Sequence, residues 1–257
     1  MGVGMSQFKS FAILLSCLFV TSSAQALVVV DAKKQPFDNA DLPPKLRSAM
    51  EKRMRTMPWN RELYTYKVTV NADTNRLGEE PVIEGLGIVA KDLKGTVPAE
   101  QLLSPYARKW AYQMSAGHGP NCWHTSISSL FLGWSQPRRM PPKEFHCHVE
   151  TSFEPIDRPS QWGDLIRLSA GPSEVHGFTY LGVDSTDPTR AIVFTKNGRY
   201  QSRFLFMDLA TVRDYVYPGN EVTFYRKVRT AIDPKEDASA PCYQAMMTDD
   251  NWSESEE

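Results

Sequence analysis

Helical periodicity and strand patterning occupy different halves of this 257-residue chain, and that division constrains its fold more than any other feature. From residue 163 on, short apolar runs follow one another: Gly163-Asp164-Leu165-Ile166-Arg167-Leu168, His176 to Gly182, Ala191-Ile192-Val193-Phe194-Thr195, and Glu221 to Arg226. Runs of this length, rich in β-branched and aromatic residues and separated by turn segments such as Asp184 to Arg190, read as strands. Before them the spacing is helical. Asp41 caps a helix with Leu46, Met50 and Met54 on one face, ending near Met57-Pro58. Pro98 to Ser115 places Leu102, Leu103, Tyr106, Trp110 and Met114 three and four residues apart, as a core-packing stripe would. Gly117-His118-Gly119-Pro120 stops that helix, and another begins at Asn121-Cys122, with Ile127, Leu130 and Phe131 as its buried stripe. Tyr64 to Val70 alternates as a strand, Arg138 to Lys143 is a proline-rich basic loop, and Met207 to Tyr215 is a short helix. The expected architecture is α+β, N-terminal helices packed on an antiparallel sheet.

Lys9, the apolar run Phe11 to Val20 and the small residues ending Ala24-Gln25-Ala26 have the order of a secretory signal. The run is about half the roughly 20 residues a membrane-crossing helix needs, so no span is expected once the signal is removed. The chain then divides into a signal peptide (1–26), an N-terminal extension with a helix and a strand (27–97), a catalytic core (98–232) and an acidic tail (233–257). The tail carries eight acidic residues and one lysine, a composition that stays solvated. Net charge is −1, which gives no electrostatic footprint for nucleic acid.

Removal of the signal takes Cys17 with it and leaves Cys122, Cys147 and Cys242 in a disulfide-permitting, periplasmic or secreted setting. Three cannot all pair; a Cys147–Cys242 bridge leaves Cys122 free, and other pairings stay open. Cys122 sits where a helix starts, a position that lowers a thiol's pKa and offers unpaired N–H groups to an oxyanion. His176, at the head of a strand, is the candidate base, and Thr195 or Asn197, at the end of the next strand, is the candidate third member that orients the imidazole. No cofactor is called for.

The ordered set Asn121-Cys122, Gly163-Asp164-Leu165, His176-Gly177-Phe178-Thr179-Tyr180-Leu181-Gly182 and Val193-Phe194-Thr195-Lys196-Asn197-Gly198 resembles the NlpC-type branch of the papain-like cysteine peptidases and amidases. The resemblance covers roughly residues 100 to 226. It implies a papain-like core, Cys122 as nucleophile, His176 as base, Thr195 or Asn197 as third residue, and an amide substrate such as a peptidoglycan stem peptide. Bulky Trp123 and His124 follow the cysteine where that family has small residues, and no histidine stands near the third position. A catalytically silent envelope binding protein on the same fold is the alternative. A further one is a metal protein using His118, His124, His146 and His148, since His146 and His148 share a face if their segment is a strand.

Overall fold

The computed structural model describes residues 27–36, 42, 44–56, 64–75, 93–114, 119–128, 138–198 and 202–228. The expected signal segment, the acidic tail, Asp41, Met57-Pro58, His118, Leu130, Phe131 and Cys242 lie outside the described residues. None of the described helices is long and apolar enough to cross a membrane.

The architecture is α+β, in the order β1 (Val29–Pro36), α1 (Pro44–Thr56), β2 (Tyr64–Asn71), β3 (Thr96–Pro98), α2 (Pro105–Trp110), α3 (Cys122–Ser128), α4 (Pro142–Ser152), β4 (Phe153–Ile156), β5 (Leu165–Ala170), β6 (Ser173–Asp184), β7 (Asp187–Lys196), β8 (Phe204–Asp208), α5 (Leu209–Thr211) and β9 (Glu221–Lys227). A 3-10 turn (Ala99–Leu102) follows β3, and a π-helical turn (Val212–Val216) continues α5. The strands join in one sheet, ordered β3-β2-β1-β6-β5-β9-β4, with β7 on β6 and β8 on β7.

The sheet is mixed rather than purely antiparallel, because β1 runs parallel to β6 at Val29–Val183 and Val30–Asp184. Gly182 makes this possible. A Cβ there would stand 2.6 Å from the Val28 carbonyl oxygen, so only glycine lets the N-terminal strand come this close. Residues 27–97 therefore complete the sheet of the core through β1, β2 and β3 instead of standing apart from it.

Both faces of the central strands are buried. Along β7, Ile192 and Phe194 join a core with Ile127 of α3 and Phe145 and Val149 of α4, while Val193 joins a second core with Met50 of α1 and Val212. β8 alternates the same way, Phe204 and Phe206 against Leu205 and Met207. Each such aromatic contributes about 1.5–3 kcal/mol by leaving water. Helices therefore cover the sheet on two sides, and the residues at the ends of β6 and β7 are enclosed from both.

Several expectations give way to cap and turn chemistry. The helix expected over Pro98 to Ser115 is interrupted: Ser104 accepts the Ala107 N–H at 3.2 Å, with Pro105 in the first turn, so a new helix starts there. Met114, at the end of the expected stripe, is 44% exposed. Met207 and Asp208 end a strand, and Asp208 caps α5 by accepting the Ala210 N–H at 2.9 Å. The basic loop is shorter than expected, since α4 begins at Pro142. His146 and His148 thus lie on a helix, not a strand, and two residues apart they point in different directions.

Candidate active site

Asn121 builds the start of α3. Its Oδ1 accepts the His124 N–H at 3.1 Å, the N-cap bond, and the Met140 N–H at 3.2 Å, while its Nδ2 donates to the Met140 carbonyl at 2.8 Å. One side chain closes the first helical turn and fastens it to the segment before α4. Cys122, the next residue, is a free cysteine and 8% exposed. The peptide groups of Gly177, Trp123 and Cys122 itself act to favour its ionised form.

The close packing at Gly177 depends on its missing side chain. A Cβ would lie 2.7 Å from Ser126 Oγ and 3.1 Å from Phe145 Cζ, so α3 and α4 rest directly on β6 at this point. Thr179, two residues on, donates its hydroxyl to the Ser126 carbonyl at 3.3 Å. The result differs from the expected low thiol pKa. Burial pushes the Cys122 thiol up to about 11, and Lys196 and the three peptide groups offset only part of that.

His176 is fully buried, stacked on the Tyr217 ring at 4.3 Å between centroids and edge-on to Phe178 at 4.4 Å. Its Nε2 is 2.9 Å from Thr195 Oγ1. The chain beyond Thr195 fixes the proton's place. Asn197 Nδ2 donates to Met207 Sδ at 3.0 Å, which turns Asn197 Oδ1 toward Thr195, and the Thr195 hydroxyl donates to it at 3.3 Å. With the single hydroxyl proton given to Asn197, Thr195 accepts from His176 Nε2–H. The neutral ring then carries its lone pair on Nδ1, which is buried and has no hydrogen-bond partner. Burial pushes His176 down to about 3; Lys196 adds to this and Asn197 opposes it.

His176, Thr195 and Asn197 are thus brought together in one relay, Thr195 next to the ring and Asn197 behind it. Cys122 makes no direct hydrogen bond to the imidazole; the peptide of Gly177, the neighbour of His176, is among the groups that favour its thiolate. Two neighbours were missed by the sequence reading. Lys196 is fully buried and donates to the Gly198 carbonyl at 3.0 Å, and Tyr217 accepts the Gly198 N–H at 3.0 Å while stacking on His176. A lysine two positions after Phe194 on an otherwise apolar strand was the available signal for the first; for the second there was none.

The remaining histidines form no metal site among the described residues. His148 lies 3.7 Å from Glu144, which is held by Arg138 in a two-bond ion pair, and His124 is buried beside this group. His146 is on the outer side of α4, 2.9 Å from Glu150 and 3.1 Å from Glu174. Cys147 is disulfide-bonded, its partner lying outside the described residues. Asp164, of the Gly163-Asp164 pair, is structural. It accepts the Ser160 and Gln161 N–H groups at 2.7 and 2.9 Å and both prongs of Arg226 at 2.9 Å, tying the start of β5 to β9. No protein-family model, curated protein or solved structure matches this chain.

Proposed function

We propose that the chain is an exported, periplasmic or secreted thiol hydrolase with a papain-like core of the NlpC type, cleaving an amide in a peptide or peptidoglycan-like substrate. The observation that carries the reading is the His176 relay: a buried imidazole whose Nε2–H is given to Thr195 and whose Nδ1 lone pair is left over, next in sequence to Gly177, whose peptide favours the Cys122 thiolate. That is the tautomer a general base needs. On attack the Cys122 S–H bond breaks, the proton passes to Nδ1, and sulfur bonds to the carbonyl carbon. The imidazolium returns the proton to the leaving amine, and water then hydrolyses the thioester to release the acid and regenerate the thiol.

In the closed site both partners are neutral at pH 7, and burial is the largest cause of both shifts. Substrate binding that admits polar groups to the site moves the thiol down and the imidazole up, bringing the pair closer to transfer. The same enclosure supports the second reading, a silent binding protein, in which the thiol is a packing residue. Incubation with stem peptides and a general amide library, read as amine release, separates the two. The hydrolase reading expects release that Cys122→Ala and His176→Gln abolish, with a thioester trapped at Cys122. Absence of release and of any acylated Cys122 leaves the binding reading standing.

A further inference from the structure

We propose that Tyr217 is a positioning residue for His176: a π-helical turn, capped from α1, lays the phenol ring on the imidazole and fixes the plane in which Nδ1 lies. This rests on the reading of His176 as general base and names what aims it.

Thr195 alone leaves the imidazole underdetermined. Its hydroxyl holds Nε2 at 2.9 Å, a single atom at the far edge of the ring, and the χ2 torsion of an imidazole is broad. Phe178, two residues along the same strand, meets the ring edge-on at 67° and restrains it from one side. A flat surface against the face is what the ring still needs. Tyr217 supplies it, with centroids 4.3 Å apart and planes inclined by 30°.

The phenol ring is itself held through every polar group of its residue. The Tyr217 N–H donates to the Val212 carbonyl at 2.9 Å, its carbonyl accepts from Asn220 Nδ2 at 2.9 Å, and its hydroxyl oxygen accepts the Gly198 N–H at 3.0 Å. Gly198 directly follows Asn197, so the strand end that holds Nε2 through Thr195 also anchors the ring that covers the imidazole face.

The π-helical turn brings Tyr217 to this place. The Tyr217–Val212 bond spans five residues where an α-helix spans four, which inserts one residue and rotates all that follows by about 100°. Insertions of this kind are rare and recur at functional sites. This one is secured from outside the turn. Arg53 of α1 donates to the Tyr215 carbonyl at 2.6 Å and to the Val216 carbonyl at 3.3 Å, and Met50, one turn earlier on α1, shares a core with Val212, Tyr215 and Val216. The N-terminal extension thereby reaches the imidazole in three steps, through Arg53, the turn and Tyr217.

The test reads the ring itself, by long-range proton–nitrogen NMR of the full chain carrying labelled histidine, with His176→Gln identifying the signals. Wild type is expected to show one neutral tautomer, protonated on Nε2. Tyr217→Leu removes the flat face and keeps apolar bulk; it is expected to mix the tautomers and to speed exchange of the Nε2 proton with water about two- to tenfold. Tyr217→Phe keeps the stack and is expected to retain the single tautomer. Arg53→Met, remote from the imidazole, is expected to give the Tyr217→Leu signature in weaker form. In amide release, Tyr217→Leu should lower kcat about ten- to a hundredfold with KM little changed. A wild-type tautomer in Tyr217→Leu overturns the proposal; should that variant fail to fold, a wild-type tautomer in Arg53→Met overturns it instead. Mixed tautomers in a protein that releases no amine retain the positioning role and remove the hydrolase. A wild-type tautomer in Tyr217→Leu alongside Cys122-dependent release does the reverse.

Discussion

Two buried histidines, one on α3 and one on β6, carry the same low pKa in different company. His124 and His176 are both pushed down to about 3, with burial as the largest cause. Around His124 the partners are ionic: Arg138 and Glu144 in a paired fork, with His148 against the carboxylate. Around His176 they are a hydroxyl, an amide and a thioether, and these leave one ring nitrogen with its lone pair unused. Burial sets the shift in both places; the partners decide whether the ring is fixed in a structural network or kept ready to accept a proton.

Removing the charge on the ionic side should have the largest effect. Glu144→Gln leaves the Arg138 guanidinium without its counter-charge and is expected to cost about 3 kcal/mol in chemical denaturation, with little change in Cys122 titration. The two histidines should make the protein acid-labile together. Their folded pKa lies below the unfolded value of about 6.5, so the stability they confer is complete above pH 6.5 and is lost as pH falls toward 3. Each contributes about 1.4 kcal/mol per pH unit within that window. His124→Gln and His176→Gln should flatten the measured slope equally, and only the second should touch amide release; unequal slopes would break the comparison.

Gly177→Ala should cost about 1–3 kcal/mol, since its Cβ meets Ser126 Oγ and Phe145, and it should also slow Cys122 modification by moving a peptide group that favours the thiolate. The smallest change in stability, about 1 kcal/mol, is expected for Thr195→Val, which keeps the shape and removes the hydroxyl between His176 and Asn197. Turnover should fall sharply in that variant and recover in Thr195→Ser. If Thr195→Val retains wild-type turnover, the relay does not orient the ring.

The four candidate positions were legible because each stands at a punctuation mark. Cys122 follows a Gly-Pro-Asn break, His176 heads an apolar run, and Thr195 and Asn197 end one. Which of the last two touches the ring was not legible, because strand alternation alone favours neither; Met207 turning the amide of Asn197 decides it. The thiol's raised pKa was not legible either. A helix start predicts a low value, and only the packing of α3 and α4 onto Gly177 shows how little water remains to solvate the anion. β1, β3, β4 and β8 escaped notice for separate reasons, β3 because it has only three residues. β1 is largely exposed along its length, β4 has four residues, and the end of β8 carries the Asp208 cap that reads as helix.

The parallel contact of β1 with β6 bears on the order in which the chain can fold. Asp31 and Ser185, joined by a side-chain hydrogen bond beside that contact, are 154 residues apart in sequence. β1 can zip onto β2 early, since both lie near the N-terminus, but this end of the sheet cannot close until β6 has left the ribosome. Contacts of such long range form late and slowly. Most of the polypeptide must therefore exist before the N-terminal strand locks in place.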